Sequence, residues 1–261
     1  MLSALPAAAA PTLVPHRAVY DLALDKASDR SGITGLQGRM VYEFNGSPCE
    51  GYTVNFRFVT KIATRDVMRM TDQQTTTFED ADGKNFSFVT KSFVDQSLDK
   101  ELRGTAVKQA NGLKVDIEKP EKETVDLTPT QFPTQHLLEV LDKAAKGETF
   151  FETNLFDGSE DGDKVMTTTV VVGKSESPEV GDPEIKADES LLSKDRFWPV
   201  DIAYFDEAGG SGEQVPDYRI SFKLHANGLT RDLEMDYNDF SMKGTLVNLA
   251  MLPTPKACEP K

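Results

Sequence analysis

The side chains able to do chemistry in this chain are few: three histidines, His16, His136 and His225, and two cysteines, Cys49 and Cys258. Nucleophilic catalysis needs a base beside a Ser, Thr or Cys. None of the histidines neighbours a G-x-S-x-G elbow or an H-E-x-x-H pair. His136 stands at the head of a helical run. There it fits either a general base working with a distant acid, as in a hydrolase, or a helix residue contacting a loop. The segment Asp157-Gly158-Ser159-Glu160-Asp161-Gly162-Asp163 opens like a calcium loop, with oxygen side chains at its first, third and fifth positions and Gly at its sixth. An EF-hand then needs a bidentate Glu at the twelfth position, where Thr168 sits, so an acidic hairpin turn is the expectation. No P-loop, dinucleotide fingerprint, C-x-x-C or His/Cys metal spacing occurs. We therefore assign no catalytic residue, cofactor or metal site and expect a protein that is not an enzyme.

The cysteines point to a compartment instead. Leu5-Pro6-Ala7-Ala8-Ala9-Ala10-Pro11 has the small-residue character that a signal peptidase cuts after, although the charged and apolar regions before it are missing. Residues 1–10 fit either the remnant of a signal peptide or a disordered Ala-rich tail. Export would place the chain in an oxidising compartment. There a Cys49–Cys258 disulfide would tie the extreme C-terminus back onto the N-terminal part of the fold. The net charge of −14 over 261 residues argues against a nucleic-acid partner, whose phosphates need clustered Lys and Arg, and no stretch carries a basic run. The same charge repels an anionic membrane surface. No segment approaches the roughly 18 consecutive apolar residues of a membrane helix, so the expectation is an exported protein that does not span a membrane.

The elements that must position these residues are mostly strands. Ala18, Tyr20, Leu22 and Leu24 alternate with polar residues, as do Met40, Tyr42 and Phe44, and Tyr52, Val54, Phe56 and Phe58. Each run presents one apolar and one wet face, as an antiparallel sheet with one buried side requires. Ten further runs follow, at roughly 67–78, 85–93, 98–108, 113–118, 148–157, 164–173, 197–205, 218–225, 229–237 and 240–249. Turn signals separate them at Asn45-Gly46, Asp82-Gly83, Asn111-Gly112, Asp157-Gly158, Gly209-Gly210 and Asn227-Gly228. A two-residue type I′ turn at Asn227-Gly228 would set Phe222 against Leu233, Ile220 against Met235 and Tyr218 against Tyr237. Lys223 would meet Asp232 and Arg219 would meet Asp236 on the exposed side, leaving Leu224 opposite Arg231 as a mismatch. Only 133–146 reads as helix, with Pro133 in the first turn, Thr134 as a candidate cap and Gly147 as the stop. Leu137, Leu138, Leu141 and Ala145 should face the sheet. The polar stretches 157–164 and 174–194 read as exposed loops, the second mobile. Trp198, Val200, Ile202 and Tyr204 share a face that fits either plain core or the wall of an apolar cavity, and Pro199 should sit at a strand start, bulge or edge. Residues 11–261 are expected to form a single, mostly β domain, an antiparallel β-spiral or open barrel with one covering helix.

Several runs also carry a family likeness. Phe132-Pro133-Thr134-Gln135-His136, Gly147-Glu148-Thr149-Phe150-Phe151 and Phe156-Asp157-Gly158-Ser159 resemble the EipB family of exported cell-envelope integrity proteins of Gram-negative bacteria. Trp198-Pro199-Val200 with Ala203-Tyr204-Phe205 is similar to a second block of that family, and Cys49 and Cys258 look like its cysteine pair. The resemblance implies a periplasmic β-spiral, similar in outline to periplasmic lipoprotein carriers. It implies a role in envelope stress resistance, a functional link to a periplasmic tetratricopeptide-repeat protein and no known catalytic residues. The leading expectation is a binding or interaction protein whose curved sheet holds a lipid-like ligand such as an acyl chain. The alternatives are a structural or protein-interaction factor without a small ligand, and a hydrolase using His136.

Overall fold

Strands with one apolar face must bring those faces together, and a long sheet of them does so by curling. The computed structural model describes residues 12–159, 161–206, 215–255 and 258. The expected signal remnant at 1–10 and the Gly209-Gly210 turn lie outside them. Eight strands come first: β1 (His16–Ala27), β2 (Ile33–Ser47), β3 (Gly51–Thr64), β4 (Met68–Glu79), β5 (Asn85–Val94), β6 (Ser97–Gln109), β7 (Gly112–Lys119) and β8 (Glu123–Leu127). Helix α1 (Pro133–Lys146) follows, then β9 (Phe150–Leu155), β10 (Met166–Val172), β11 (Phe197–Asp206), β12 (Tyr218–His225), β13 (Thr230–Asp236) and β14 (Phe240–Met251). All belong to one 14-stranded sheet in the order β8-β7-β6-β5-β4-β3-β2-β1-β14-β13-β12-β11-β10-β9. The chain therefore works outward from β1, crosses to the far edge through α1, and works back until β14 pairs with β1.

The cores show the curl. Phe44 and Tyr52 of β2 and β3 share one apolar cluster with Val170, Val200, Ile202 and Leu224 of β10, β11 and β12, although β1, β13 and β14 separate them in the sheet. Val140, Leu141 and Ala144 of α1 stand in the middle of that cluster. A second cluster joins Phe86, Phe88, Leu102 and Val115 of β5, β6 and β7 to Phe132 and Phe156, which flank α1 and end β9. The sheet thus wraps around a lumen that α1 enters, and its edge strands β8 and β9 are not hydrogen-bonded to each other.

The helix forms over the expected residues and stops at Gly147 in the left-handed region, φ 78°. Its docking differs in two details. Ala145 is exposed and Ala144 is buried in its place, with His136 and Val140 on the same stripe. Thr134 does not cap: the N-cap position is Phe132, which offers no side-chain bond. The cap comes from Glu79 at the end of β4, whose carboxylate accepts from the Thr134 N–H at 2.8 Å and the Gln135 N–H at 3.2 Å.

The last hairpin corrects the expected turn. Its loop holds three residues, with the Gly228 N–H donating to the His225 carbonyl at 2.9 Å and Gly228 at φ 87°, the geometry of a type I turn closed by a left-handed residue. Arg219 meets Asp236 and Ile220 meets Met235 as expected, but a bulge at Asp232, φ 53°, shifts the pairing nearer the loop. Leu224 consequently faces Thr230, and Arg231 lies opposite Lys223 on the other face, fully buried. Lys223 keeps its ion pair with Asp232 at 2.9 Å but is half-buried over the Phe197 ring rather than exposed. Asn45-Gly46, by contrast, is no turn: β2 runs through it, and a Cβ on Gly46 would meet the Gly51 carbonyl oxygen at 2.1 Å. β8, too short and charged to register as a strand run, completes the edge.

The acidic stretch after β10 is not the mobile loop expected of it. One turn of 3-10 helix (Pro183–Ala187) and the short α2 (Glu189–Leu192) dock it against the sheet, burying Glu184 and Leu192. The Glu184 carboxylate accepts from the backbone N–H of both Asp232 (3.1 Å) and Leu246 (2.6 Å). Arg231 donates to Asp182 at 2.5 Å, to Glu184 at 3.3 Å and, through Nε, to His225 Nε2 at 3.0 Å.

Cys49, between β2 and β3, is bonded to Cys258 across a sequence separation of 209, with the Cα atoms 5.7 Å apart. In the chain-entropy treatment such a loop is worth at most about 5 kcal/mol. We expect the Cys49→Ser/Cys258→Ser variant to keep its far-UV spectrum and lose part of that amount in urea unfolding. An unchanged midpoint would show that the bridge constrains nothing. Glu79→Ala should cost about 2–5 kcal/mol, because two buried N–H groups lose their acceptor. Glu79→Gln, with one acceptor oxygen left, should cost less. Equal losses in the two variants would show that the cap is not what Glu79 provides.

Candidate functional site

Strand β4 breaks the amphipathic rule that built the rest of the sheet. Asp72, Gln74 and Thr76 face outward, where Asp72 pairs with Arg57 and Thr76 bonds Asn55. The alternate residues Gln73, Thr75 and Thr77 point into the lumen and are polar as well. Neighbouring β5 adds Thr90 and Ser92, and the Thr75 and Thr90 hydroxyls lie 3.0 Å apart. Much of the remaining lining is apolar: Val54 and Phe56 of β3, paired with Thr77 and Thr75, Met40 and Tyr42 of β2, Ile220 and Phe222 of β12, and Leu233 of β13. These walls enclose a cavity of about 550 Å³, with Pro133 at the start of α1 also in its lining. A second cavity of about 270 Å³ shares Tyr42, Val54, Ile220 and Phe222 with the first and continues alongside α1 to His136, Leu137 and Val140.

The loop between β9 and β10 supplies Asp157, Gly158 and Ser159 to the lining of the larger cavity. It is not a free hairpin turn. Gly158, at φ 68°, packs so tightly that a Cβ there would come within 2.5 Å of the Phe88 ring. Lys100 of β6 lines the same region and pairs with Asp161 at 2.6 Å. Asp157 spends one carboxylate oxygen on the Ser159 N–H, at 2.8 Å. Among the described residues, no three His, Cys, Asp or Glu side chains converge as metal ligands.

Burial governs the titratable groups here. The Tyr42 phenol is pushed up to about 12, first by burial and then by the charge of Glu79. Tyr20 of β1, also in the lining of the larger cavity, has its pKa raised by burial and donates to the Thr230 carbonyl at 2.6 Å. Glu79 is raised by burial, and the N–H groups of Thr134 and Gln135 pull it partly back.

Cys49 and Cys258 are joined to each other. His136 is buried on α1 with its Nε2 3.2 Å from the Thr168 hydroxyl, which itself donates to the Thr153 carbonyl at 2.9 Å. Burial lowers its pKa to about 4, and no carboxylate orients it among the described residues. It is a neutral core imidazole at the edge of the smaller cavity. The row Gln73-x-Thr75-x-Thr77 was the signal that sequence reasoning missed: a strand polar on both faces, within a sheet of otherwise one-sided strands, marks a wet wall. Val200 and Ile202 belong to the core, while Ile202 and Tyr204 also line the smaller cavity, so the two readings of that strand both apply. Pro199 sits near the start of β11, its carbonyl accepting from Gly173 just past the end of β10, where the missing N–H costs no ladder bond.

Fold and cavity together define a class, an open antiparallel barrel that keeps an amphiphilic cavity behind one helix. The chain belongs to the EipB-like family, whose model matches residues 7–253. It is 57% identical over 251 residues to the protein named "Cell envelope integrity protein EipB" of Brucella abortus (strain 2308), covering 96% of this chain and 88% of that one. A crystal structure described as a β-barrel-like protein of a domain of unknown function, also from Brucella abortus, superposes with a TM-score of 0.88. It is 56% identical, covering 93% of this chain and 100% of that one.

A histidine whose folded pKa is depressed adds stability above its unfolded value, near 6.5, and that stability is lost as pH falls toward the folded value near 4. Between pH 7 and pH 5 this amounts to about 2 kcal/mol for His136. Glu79 and Glu184 are shifted upward and act in the opposite sense, so the test is a difference. The pH 7 to pH 5 drop in urea stability should be smaller in His136→Gln than in the unaltered protein. Identical drops would mean that His136 is solvated.

Proposed function

We propose that this chain is a periplasmic protein that supports the integrity of the cell envelope without catalysing a reaction, and that it works by holding an acyl-bearing amphiphile in its lumen. The envelope role is supported by the relative that is 57% identical and named for envelope integrity. The disulfide fits an oxidising compartment. The single observation that carries the ligand is the cavity of about 550 Å³, within the range of small-molecule sites, with one apolar wall that continues into a second cavity beside α1. A chain of methylene groups gains about 0.8 kcal/mol for each one buried, so an acyl tail laid along Tyr42, Val54 and Phe222 has a driving force that a polar solute lacks.

Among the described residues, nothing around the cavity is arranged for bond making. His136 is neutral, buried and bonded to a threonine, and Lys100 is held by Asp161. The test is mass spectrometry of organic extracts from gently purified protein, before and after incubation with phospholipid vesicles. Acyl-bearing species should co-purify or be acquired, and Phe222→Glu, which puts a charge into the apolar wall, should lose them while keeping its fold. Bare protein after repeated exposure to lipid would overturn this reading.

A further inference from the structure

The lining of the larger cavity says what kind of headgroup it accepts. Three successive inward positions of β4, Gln73, Thr75 and Thr77, and two of β5, Thr90 and Ser92, place amide and hydroxyl groups along one wall. Inward positions on a strand are about 6.6 Å apart, so the β4 row alone runs roughly 13 Å. This is too long to be a polar rim around an apolar hole. Hydroxyls and a carboxamide both donate and accept, which matches a ligand whose own groups do the same.

Among the described residues, the charges lining the same cavity are Lys100 and Asp157. Lys100 is ion-paired to Asp161 at 2.6 Å. The charged oxygens of an anionic headgroup only accept, and they are met most strongly by cations. Such a headgroup would compete here with Asp161 for Lys100 and would face the carboxylate of Asp157. A desolvated anion left without a full partner is costly.

We infer that the cavity selects amphiphiles with an uncharged, polyhydroxylated headgroup, such as a glycosyl or glyceryl ester, over phosphate or carboxylate amphiphiles of the same chain length. The head lies along Gln73, Thr75, Thr77 and Thr90, and the tail lies against Tyr42 and Phe222. This rests on the cavity being a lipid site and adds the chemistry of the head to it.

The experiment is isothermal titration of the whole protein, below micellar concentrations, with dodecyl glucoside, monolauroylglycerol, lauric acid and lauroyl lysophosphatidic acid. The two uncharged ligands should bind about tenfold or more tightly than the two anions. The Thr75→Val/Thr77→Val variant keeps the side-chain shape and removes two hydroxyls. It should shrink that preference toward unity while circular dichroism and melting stay unchanged. Equal or tighter binding of the anions would overturn the headgroup assignment and leave the lipid cavity standing. An unchanged preference in the valine variant would do the same. Absence of binding by all four ligands would overturn both.

Discussion

A helix whose first turn lacks an acid and a capping side chain leaves its N–H groups to be met from elsewhere. In α1 Pro133 removes one donor by having none, and the next two, on Thr134 and Gln135, both point at the carboxylate of Glu79. The charge also suits the positive end of the helix dipole. Burial of Glu79 opposes this by raising its pKa, and the two N–H bonds are what make the buried charge tolerable. The consequence reaches the cavity. Glu79 ends the same inward row that carries Gln73, Thr75 and Thr77, so one strand fixes both the polar wall and the place where α1 begins. Pro133, the first residue of that helix, is part of the lining.

The same device recurs where the sheet loses its own partners. β13 and β14 pair only from Leu233 with Gly244 to Asp236 with Ser241, and beyond that the bulge at Asp232 turns the hairpin away. Two N–H groups would then be left in a buried seam, an expensive omission. Glu184 enters the seam and accepts from both. Arg231, displaced to the outer face by the bulge, holds the docked acidic stretch after β10, a strap on the sheet, through Asp182 and Glu184 and stacks over Phe197. His225 accepts from Arg231 and bonds Asp195 through its other nitrogen at 3.0 Å, which defines a neutral tautomer between an acid and a base. From inside, Tyr20 spans to the Thr230 carbonyl. A buried carboxylate thus does twice what a neighbouring strand or cap does elsewhere.

Which features were legible follows from the range of the forces that set them. Period-two alternation reflects one buried face and is written locally, so β1, β2, β3 and the late hairpin could be read from Tyr20, Phe44, Phe56 and Ile220. Helical spacing gave α1, but the choice of Ala144 over Ala145 depends on which direction the sheet approaches from. The Glu79 cap was hidden because its partners lie 55 and 56 residues away. Asn227-Gly228 signalled a hairpin correctly and its register only in part, because Gly at a left-handed position closes a three-residue loop as well as a two-residue one. The strap looked like a solvated acidic loop because Ile185, Leu191 and Leu192 are sparse among its acids, and it docks through Glu184 as much as through them. Both cysteines were visible, and the structure pairs them.

The cavity follows from the same geometry. A helix of 14 residues is about 21 Å long, whereas strands of 12 to 15 residues reach about 40–50 Å. One such helix cannot fill the lumen of a sheet that long, and here it packs between β2–β3 and β10–β12. The remaining space has to be closed by large side chains, as in a fully packed barrel, or lined so that it can hold something. Strand β5 shows the first solution in Phe86 and Phe88, which pack with Phe132 and Phe156. Its continuation, Thr90 and Ser92, shows the second, alongside Gln73, Thr75 and Thr77. Polar side chains of that size neither fill the space nor gain from being buried in it unpaired. Their placement on inward positions is intelligible when the lumen contains water or a ligand with polar groups of its own.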